Sequence, residues 1–258
     1  MGYGTGVGTR TAVVTGASSL KGIGYNTALR FAREGWAVAM LDINEDGVRQ
    51  AAQTVRDEVP GAAIECFTAN VADAASVEQV ATAILESALP PVGALANIAG
   101  IPSPKGFLEI GLEEWNRVIA VNLTGSFLLS QALVPQMIEG GYGRVVNMSS
   151  VTAQHGGGVF SKTSYAAAKA GVLGLTRGMA RELAEHGITV NAVAPGVVDT
   201  EIRIGSSDET EQALAAAVPL KRQAQPWEIA ALVCWLSSED SAYITGCTHS
   251  INGGTYIA

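Results

Sequence analysis

Short runs of apolar residues alternate along this chain with stretches in which apolar residues recur at helical spacing. The runs predict strands, and because they lack polar alternation they are typical of parallel strands buried on both faces. Predicted strands cover Ala12–Val14, Trp36–Leu41, Ala63–Thr68, Ala94–Ile98, Arg144–Met148, Thr189–Val193 and Thr248–Ile251. Predicted helices cover Ile23–Glu34, Asp46–Val59, a helix capped by Ser76 and running to Leu89, Leu112–Ile138, Tyr165–Glu185 and Pro226–Leu236.

This alternation predicts an α/β fold with a single Rossmann-type, doubly wound parallel sheet and helices on both faces. No linker, repeat or low-complexity segment divides the 258 residues, so we expect one catalytic domain over 11–258 behind a flexible leader over 1–10. The segment 201–225 is polar and glycine/serine-rich before it turns helical. It follows a strand end, where ligands bind in open sheets, which makes it a candidate substrate lid. A plain surface excursion is the alternative.

A glycine-rich turn, TGASSLKGIG, follows the first predicted strand and opens the first predicted helix. Such a turn lets backbone N–H groups approach a pyrophosphate, and the helix N-terminus adds positive potential. Gly16, Gly22 and Gly24 are the candidate residues, with Ile23 between the last two. The pattern is weak by itself because the chain has 30 glycines, but its place between strand and helix strengthens it.

The choice between NAD and NADP rests on Asp42 and Lys21. Asp42 closes the second predicted strand, where a carboxylate can accept both adenosine ribose hydroxyls and would repel a 2′-phosphate. Lys21 lies directly before Gly22, where a cation could meet that phosphate. We favour NAD over NADP because a flexible lysine swings aside more easily than a fixed repulsive charge is relieved.

The composition narrows the classes of partner. The chain is 48% hydrophobic and 16% charged, which is enough to build a large core, and its net charge of −8 disfavours nucleic acid and anionic membrane surfaces as partners. We expect no apolar run long enough to span a membrane and no signal peptide. The three cysteines, Cys66, Cys234 and Cys247, lack metal-ligand spacing, so we expect no metal site. Together these features predict a cytoplasmic protein with a small-molecule substrate.

Several motifs in order make the chain resemble the classical short-chain dehydrogenase/reductase family over nearly its whole length. The family's TGxxxGxG loop is present but two residues longer, and Asp42 falls where NAD-preferring members carry an acidic residue. The segment ANVAD has Asn70, followed by Val71, where the family often has an aspartate near the adenine. The family's NNAG segment is NIAG here, which implies cofactor contacts at Asn97, Ala99 and Gly100.

The catalytic motifs carry the resemblance furthest. VNLTGSF supplies Asn122, NMSSV supplies Ser150, and SYAAAKAG supplies Tyr165 and Lys169. Ser149 competes with Ser150, but Val151 directly after Ser150 fits the family pattern better. APGVVDT supplies four further cofactor-binding residues: Pro195, Gly196, Val198 and Thr200. By resemblance, Val198 and Thr200 hold the nicotinamide carboxamide. Ser150 and Tyr165 are 15 residues apart, two more than usual, and the glycine-rich loop between them is expected to absorb the extra length.

The chemistry explains these residue types. A tyrosine four residues before a lysine on a helix shares its face, and the ammonium should lower the phenol pKa, which is about 10 when unperturbed. Tyr165 is then the general acid/base, and Ser150 steadies the charge on the substrate oxygen. By resemblance, the backbone of Asn122 holds a water in a proton relay through Lys169. His155 is a candidate substrate contact, with a solvent-facing loop histidine as the alternative.

The sequence therefore predicts an NAD-dependent oxidoreductase that interconverts a secondary alcohol and a ketone. A polyol or sugar, a cyclic alcohol and a hydroxysteroid are the candidate substrates. The closest alternative is an NADPH-dependent 3-oxoacyl reductase acting on acyl carrier protein or CoA thioesters. That reductase needs basic residues for carrier docking, and the segment VPQMIEGGYGR offers mainly Arg144 and also the acidic Glu139, which disfavours carrier docking. A non-catalytic cofactor-sensing protein and a serine hydrolase are more remote. By resemblance we also expect a homo-oligomer, a tetramer or dimer.

Overall fold

Seven parallel strands form one sheet in the computed structural model, which describes residues 10–158, 160–201 and 207–257. The sheet order is β3-β2-β1-β4-β5-β6-β7. The strands are β1 Thr11–Thr15, β2 Ala37–Asp42, β3 Ile64–Thr68, β4 Val92–Asn97, β5 Gly143–Met148, β6 Ile188–Pro195 and β7 Thr248–Ile251. The helices are α1 Ile23–Arg33, α2 Glu45–Glu58, α3 Ala74–Leu85, α4 Leu112–Ile119, α5 Gly125–Glu139, α6 Thr152–His155, α7 Thr163–Leu183, α8 Asp208–Ala217 and α9 Pro226–Leu236.

Helices cover both faces of the sheet, which confirms the predicted doubly wound fold. On one face, Phe31 of α1, Val48 of α2 and Ile229 of α9 belong to one buried apolar cluster with the sheet. On the other face, helices α3, α5 and α7 form a second cluster around residues such as Leu129 and Leu133. Because both faces are buried, the strands read as continuous apolar runs, which is why the sequence pattern located them.

The strand order reverses between β1 and β4, since β2 and β3 extend one side of the sheet and β5 to β7 the other. In open α/β sheets, the carboxyl ends of the strands at such a switch point form the ligand crevice. The turn after β1, the segment after β4 and the loop after β5 therefore meet at this edge.

Two local predictions need correction. Ser76 is not the N-cap of α3: Asp73 is, and its side chain accepts a hydrogen bond from the Ser76 backbone N–H at 2.8 Å. The Ser76 hydroxyl instead accepts from the Asn70 N–H at 3.0 Å, and α3 ends at Leu85 rather than Leu89. Both residue types cap helices well, and the chain uses the earlier one.

The predicted long helix Leu112–Ile138 is also more complex than its periodicity indicated. A π-helical turn over Ala120–Thr124 separates α4 from α5. The continuous helical segment Leu112–Glu139, called the α4–α5 rod below, has a mean hydropathy of 1.5 over its most apolar window. By length and composition alone it could cross a membrane, although we expected no apolar run long enough to do so. Its residues Leu129, Leu133 and Met137 are buried against the sheet, as in a core helix.

Two predicted segments lie partly outside the described residues. The leader over 1–10 is described only at Arg10, and residues 202–206 of the candidate lid are not described. The described part of that segment contains α8, Asp208–Ala217, where its alanine-rich sequence predicted a helix.

Candidate active site

A cleft of about 320 Å³ opens at the carboxyl edge of the sheet. Ile98, Met148 and Pro195, at or next to the ends of β4, β5 and β6, contribute to its walls. Ser150, Tyr165 and Lys169 line the same cleft, so the structure brings the three predicted catalytic side chains together.

The glycine turn after β1 is built on close backbone approaches. Gly16 has φ +69°, and a Cβ there would lie 3.0 Å from the Cα of Ala99. A Cβ on Gly24 would lie 2.1 Å from the Gly16 carbonyl oxygen, so only glycine lets α1 pack onto the turn. Gly22 is the N-cap of α1 and contributes no side-chain acceptor, which leaves the helix N-terminus open to an anion.

The two additional residues of this turn are accommodated at its surface. The Gly22 N–H donates to the Ser19 carbonyl at 2.8 Å, and the turn so closed carries Leu20 and Lys21 into solvent. The Ser19 hydroxyl donates to the Glu201 carboxylate at 2.7 Å. A carboxylate from the segment after β6 therefore already lies against the turn that would receive a phosphate.

Asp42 also contacts this turn. Its Oδ2 accepts from the Ser18 N–H and its Oδ1 from the Asn44 N–H, each at 3.0 Å. The carboxylate thus joins the end of β2 to the glycine turn at the crevice edge. Each carboxylate oxygen has a second lone pair, so both can still accept a ribose hydroxyl.

The segments after β3 and β4 place their predicted residues differently. Asn70 is exposed, and its Oδ1 accepts from the Ala72 N–H at 3.0 Å, while the Val71 side chain packs near Gly125 at the start of α5. The Asn97 side chain lies in the core, where its Nδ2 donates to the Asn147 Oδ1 at 2.9 Å. Asn97 therefore holds the end of β4, and its amide lies away from the cleft.

Thr15 has a role that the sequence reasoning missed. Its hydroxyl oxygen lies 2.9 Å from both the Ile98 and the Ala99 N–H groups, which ties the end of β1 to the segment after β4. Ala99 lies against Gly16, and Gly100 lines the cleft. The threonine that opens the glycine motif was the available signal.

The structure separates the roles of the two adjacent serines. Ser149 is buried, and its hydroxyl donates to the Lys169 carbonyl at 2.8 Å, which fastens β5 to α7. Ser150 instead lines the cleft together with Tyr165, and its hydroxyl acts to lower the pKa of the phenol. Its Oγ also accepts from the Thr152 N–H at 3.1 Å, which fixes the hydroxyl in the cleft wall.

The loop between Ser150 and Tyr165 folds so that its two extra residues fit. It forms α6 and then turns at Gly156 and Gly157, whose φ values are +93° and +142°. It returns to pair with the segment after β4 through a bridge between Ser161 and Ser103. Tyr165, in the first turn of α7, thereby lines the same cleft as Ser150, as the family pattern requires.

Burial dominates the electrostatics of Tyr165 and Lys169. Tyr165 remains partly accessible through the cleft, yet the surrounding protein raises its pKa to about 12, against a smaller lowering by the Ser150 hydrogen bond. Burial lowers the pKa of Lys169, which is 2% exposed, to about 7. Its Nζ donates to the Met148 carbonyl at 2.7 Å and lies 5.6 Å from the Tyr165 ring centroid. Lys169 therefore does not lower the Tyr165 pKa below its ordinary value, contrary to the sequence expectation.

Burial of Lys169 makes the stability of the protein depend on pH. Its pKa is about 7 when folded and 10.5 ordinarily, so between these values the unfolded chain binds more protons. The stability of the wild type relative to Lys169→Met should therefore rise with pH from 7 upward, by about 2 kcal/mol at pH 9. Urea unfolding of both proteins from pH 6 to 9 measures this difference. Parallel pH curves would contradict the assignment.

Asn122 lies in the π-turn and is 1% exposed. Its Nδ2 donates to the carbonyls of Val118 and Ile101 at 3.0 and 3.1 Å, and its Oδ1 accepts from the Ile101 N–H at 3.3 Å. A Cβ on Gly100 would lie 2.7 Å from that Oδ1 and 3.4 Å from the Lys169 Nζ. The structure thus brings Asn122 next to Lys169, in a helical irregularity of the kind frequent at functional sites.

The remaining predicted residues surround the cleft. Pro195, Gly196, Val198 and Thr200 all line it, and a Cβ on Gly196 would lie 2.8 Å from the Asn252 Cα. His155 also lines the cleft, and its Nδ1 accepts from the Gly157 N–H at 3.4 Å. Phe160, Leu214 and Thr255 are lining residues that the sequence reasoning missed, because they come from three separate parts of the chain: the loop before α7, helix α8 and the segment after β7. Within the described ranges, no group of three His, Cys, Asp or Glu side chains is placed to hold a metal ion.

Comparison with known proteins finds similar sequences and a similar structure over nearly the whole chain. A family profile described as enoyl-(acyl carrier protein) reductase matches residues 16–256. The chain is 42% identical to a short-chain type dehydrogenase/reductase of Sinorhizobium fredii, over 96% of this chain and 98% of that protein. It is 39% identical to a 3-oxoacyl-(acyl-carrier-protein) reductase of Staphylococcus aureus, over 96% and 99%. A solved structure described as a candidate gluconate dehydrogenase of Agrobacterium tumefaciens has a TM-score of 0.88, 31% identity and 96% coverage of both chains.

Proposed function

Because this chain belongs to the short-chain dehydrogenase/reductase family and is an oxidoreductase, we propose that it interconverts a secondary alcohol and a ketone with NAD. The observation that carries this proposal is that Ser150, Tyr165 and Lys169 line one cleft, with the Lys169 Nζ 5.6 Å from the centroid of the phenol ring. This arrangement can hold a substrate oxygen and exchange a proton with it, which is what the reaction requires.

Each of the three side chains has a distinct task. In oxidation, the Tyr165 phenolate oxygen takes the proton of the substrate hydroxyl, and in reduction the phenol returns it. The Ser150 hydroxyl donates to the substrate oxygen and stabilises the charge that develops there. The Lys169 ammonium, when protonated, favours the phenolate through its positive charge. Nicotinamide, when bound, supplies or accepts the hydride.

The crevice fits a dinucleotide. Gly22 at the start of α1 leaves an open helix N-terminus, and Gly16 brings the turn against Ala99, which suits a pyrophosphate. Asp42 at the end of β2 supports NAD over NADP, since its carboxylate would lie against a 2′-phosphate. We propose Gly16, Gly22, Gly24 and Asp42 as the principal cofactor contacts of this chain.

The walls of the cleft support an apolar or ring-shaped substrate. Phe160, Leu214 and Val218 give it an apolar surface, while His155 and Thr255 offer polar contacts at its sides. A cyclic secondary alcohol or a hydroxysteroid suits that surface best among the candidate substrates, and a polyol would have to use the polar side groups.

Cofactor titration tests the proposal first. Binding is followed by tryptophan fluorescence. We expect NADH to bind at least about tenfold more tightly than NADPH, because Asp42 disfavours the 2′-phosphate. A panel of secondary alcohols with NAD should then give turnover at high pH, where the phenolate forms. Tighter NADPH binding would instead mean that Lys21 overrides Asp42, and no turnover on any alcohol or ketone would contradict the reaction.

The names of two relatives support a second candidate function, reduction of 3-oxoacyl thioesters. The Staphylococcus aureus relative is named as such a reductase, and a Rattus norvegicus relative, 36% identical, as a (3R)-3-hydroxyacyl-CoA dehydrogenase. The structure weighs against carrier docking at Arg144, because that side chain is 3% exposed and its Nε donates to the Ser238 carbonyl. Activity on acetoacetyl-CoA in the absence of carrier protein would favour this function.

The segment between β6 and α9 supports the lid proposal. The two ends of the segment lie side by side. Val198 pairs with Ala224 in an isolated parallel β-bridge, and the Ala224 N–H donates to the Val197 carbonyl at 2.9 Å. In between, Leu214 and Ala217 of α8 line the cleft. A segment fixed at its base and in contact with the cleft can close over a substrate.

We also propose a homo-oligomer, a dimer or tetramer, in the cytoplasm. Gly174 and Gly178 on α7 have open space beside them, and Leu112 and Phe127 on the α4–α5 rod are exposed, so these helices can pack against a second copy. The three cysteines are free, which suits a reducing compartment.

A further inference from the structure

A buried chain of hydrogen bonds begins at the residue directly before Tyr165. The Ser164 hydroxyl donates to the Ser103 Oγ at 2.7 Å, and the Ser103 hydroxyl lies 3.3 Å from the Glu114 Oε1. Both serines are 0% exposed. The chain therefore joins α7 to the segment after β4 and to α4, and 61 positions separate Ser164 from Ser103.

The direction of this chain is fixed by its carboxylate. Arg117 donates to the Glu114 Oε2 at 2.9 Å, and chiefly this hydrogen bond holds the pKa of Glu114 below its ordinary value, with Lys105 a further positive neighbour. An ionised carboxylate can only accept, so Ser103 must donate to Glu114 and is left to accept from Ser164. The last bond of the chain is charge-assisted, which strengthens it.

The backbone supports the same connection. Lys162, the N-cap of α7, offers no side-chain cap, and its N–H donates to the Ser103 carbonyl at 2.9 Å. Ser161 bridges Ser103, and both Ser161 and Pro102 line the cleft. The first turn of α7 is thus held by Ser103 and not by a cap, so the chain also ties two walls of the cleft together.

We propose that Glu114, Ser103 and Ser164 are positioning residues for Tyr165. They fix the first turn of α7 so that the phenol keeps its place beside Ser150 in the cleft. This inference rests on the proposed role of Tyr165 in proton exchange. Because small displacements of a reacting group cost rate, losing the chain should lower kcat more than it weakens cofactor binding.

The test uses three variants and two matched controls. Ser164→Ala and Glu114→Ala break the chain, whereas Glu114→Gln keeps an acceptor oxygen for Ser103. Glu113→Ala removes an exposed carboxylate next to Glu114, and Ser241→Ala removes a buried hydroxyl that donates to the Leu236 carbonyl outside the cleft. For each protein, kcat and KM are measured against pH, with the NADH Kd, the melting temperature and amide hydrogen exchange at Lys162.

We expect Ser164→Ala and Glu114→Ala to lower kcat about tenfold, to move the rise of kcat to higher pH and to leave the NADH Kd within about twofold. Glu114→Gln should stay within about threefold of the wild-type kcat, because its amide oxygen still accepts. Exchange at the Lys162 amide should accelerate only in the chain-breaking variants. Ser241→Ala should lower the melting temperature without a change in the pH profile.

An unchanged pH profile in Ser164→Ala, or the same loss of kcat in Ser241→Ala, would overturn the inference. If the wild type turned over no alcohol or ketone, the proposed function would fail instead. Hydrogen exchange at Lys162 would still decide the positioning role, since that amide reports the first turn of α7 without any turnover. Equal exchange in wild type and Ser164→Ala would then overturn it.

Discussion

Replacing Tyr165 by phenylalanine is expected to lower kcat at least about a thousandfold while the NADH Kd stays within about twofold of wild type. The phenol hydroxyl is the group that exchanges a proton with the substrate oxygen in our proposal, and phenylalanine removes only that group. The ring still fills its place in the cleft wall, so the cofactor crevice should be unaffected. Steady-state kinetics and fluorescence titration of the same preparation measure both quantities.

The matched control for this change is Tyr25→Phe. The Tyr25 hydroxyl donates to the Glu58 carboxylate at 3.0 Å. Burial, together with that carboxylate, raises the pKa of Tyr25 to about 12, the same value as that of Tyr165. Tyr25 lies on α1 and does not line the cleft. Loss of this hydroxyl should cost stability and leave kcat near that of the wild type. Turnover of Tyr165→Phe within about tenfold of wild type would refute the acid/base assignment.

The pKa values of Tyr165 and Lys169 predict how the rates of oxidation and reduction depend on pH in this experiment. A phenol with a pKa of about 12 is almost fully protonated at neutral pH, so it is set to donate a proton and not to accept one. Lys169, with a pKa of about 7, is only half protonated there. Oxidation of an alcohol should therefore rise with pH while reduction falls, and Tyr165→Phe should abolish both branches.

The strands were predictable because a buried parallel strand reads as a continuous apolar run, and α9 and β7 begin and end where the pattern placed them. Helix starts were less certain, since Asp73 and Ser76 both suit an N-cap and only the packing of α3 selects Asp73. The π-turn at Asn122 could not be read from periodicity. It shifts the pairing by one residue and depends on bonds from Asn122 to Ile101, 21 positions away in the chain.

The residues of the candidate site also fall into those that a sequence motif predicts and those that only the fold brings together. Ser150, Tyr165 and Lys169 were found because their spacing forms a motif, and the structure places all three in one cleft. The chain through Ser103, Ser164 and Glu114 has no motif, since its hydroxyl pair is separated by 61 positions. Arg144 supports the sequence-based expectation that carrier docking is disfavoured, because its guanidinium is buried and donates to backbone carbonyls.

Asp42→Ala is expected to shift the ratio of NADH to NADPH affinity by about tenfold or more toward NADPH, a change of at least about 1.4 kcal/mol. Removing the carboxylate removes the charge that would repel a 2′-phosphate, and it leaves Lys21 exposed on the adjoining turn. Fluorescence titration with both cofactors measures the ratio. Asp46→Ala, which removes an exposed carboxylate in the first turn of α2, is the matched control and should leave the ratio unchanged.

Two effects of Asp42 can be separated within this experiment. The carboxylate also accepts from the Ser18 N–H, so its loss loosens the glycine turn and should weaken both cofactors alike. Asp42→Asn keeps an acceptor oxygen but not the charge, so it should retain more of the overall affinity while its ratio still shifts. A ratio that is unchanged in both variants would refute the role of Asp42 in cofactor choice, because only a difference between the two cofactors reports repulsion of the 2′-phosphate.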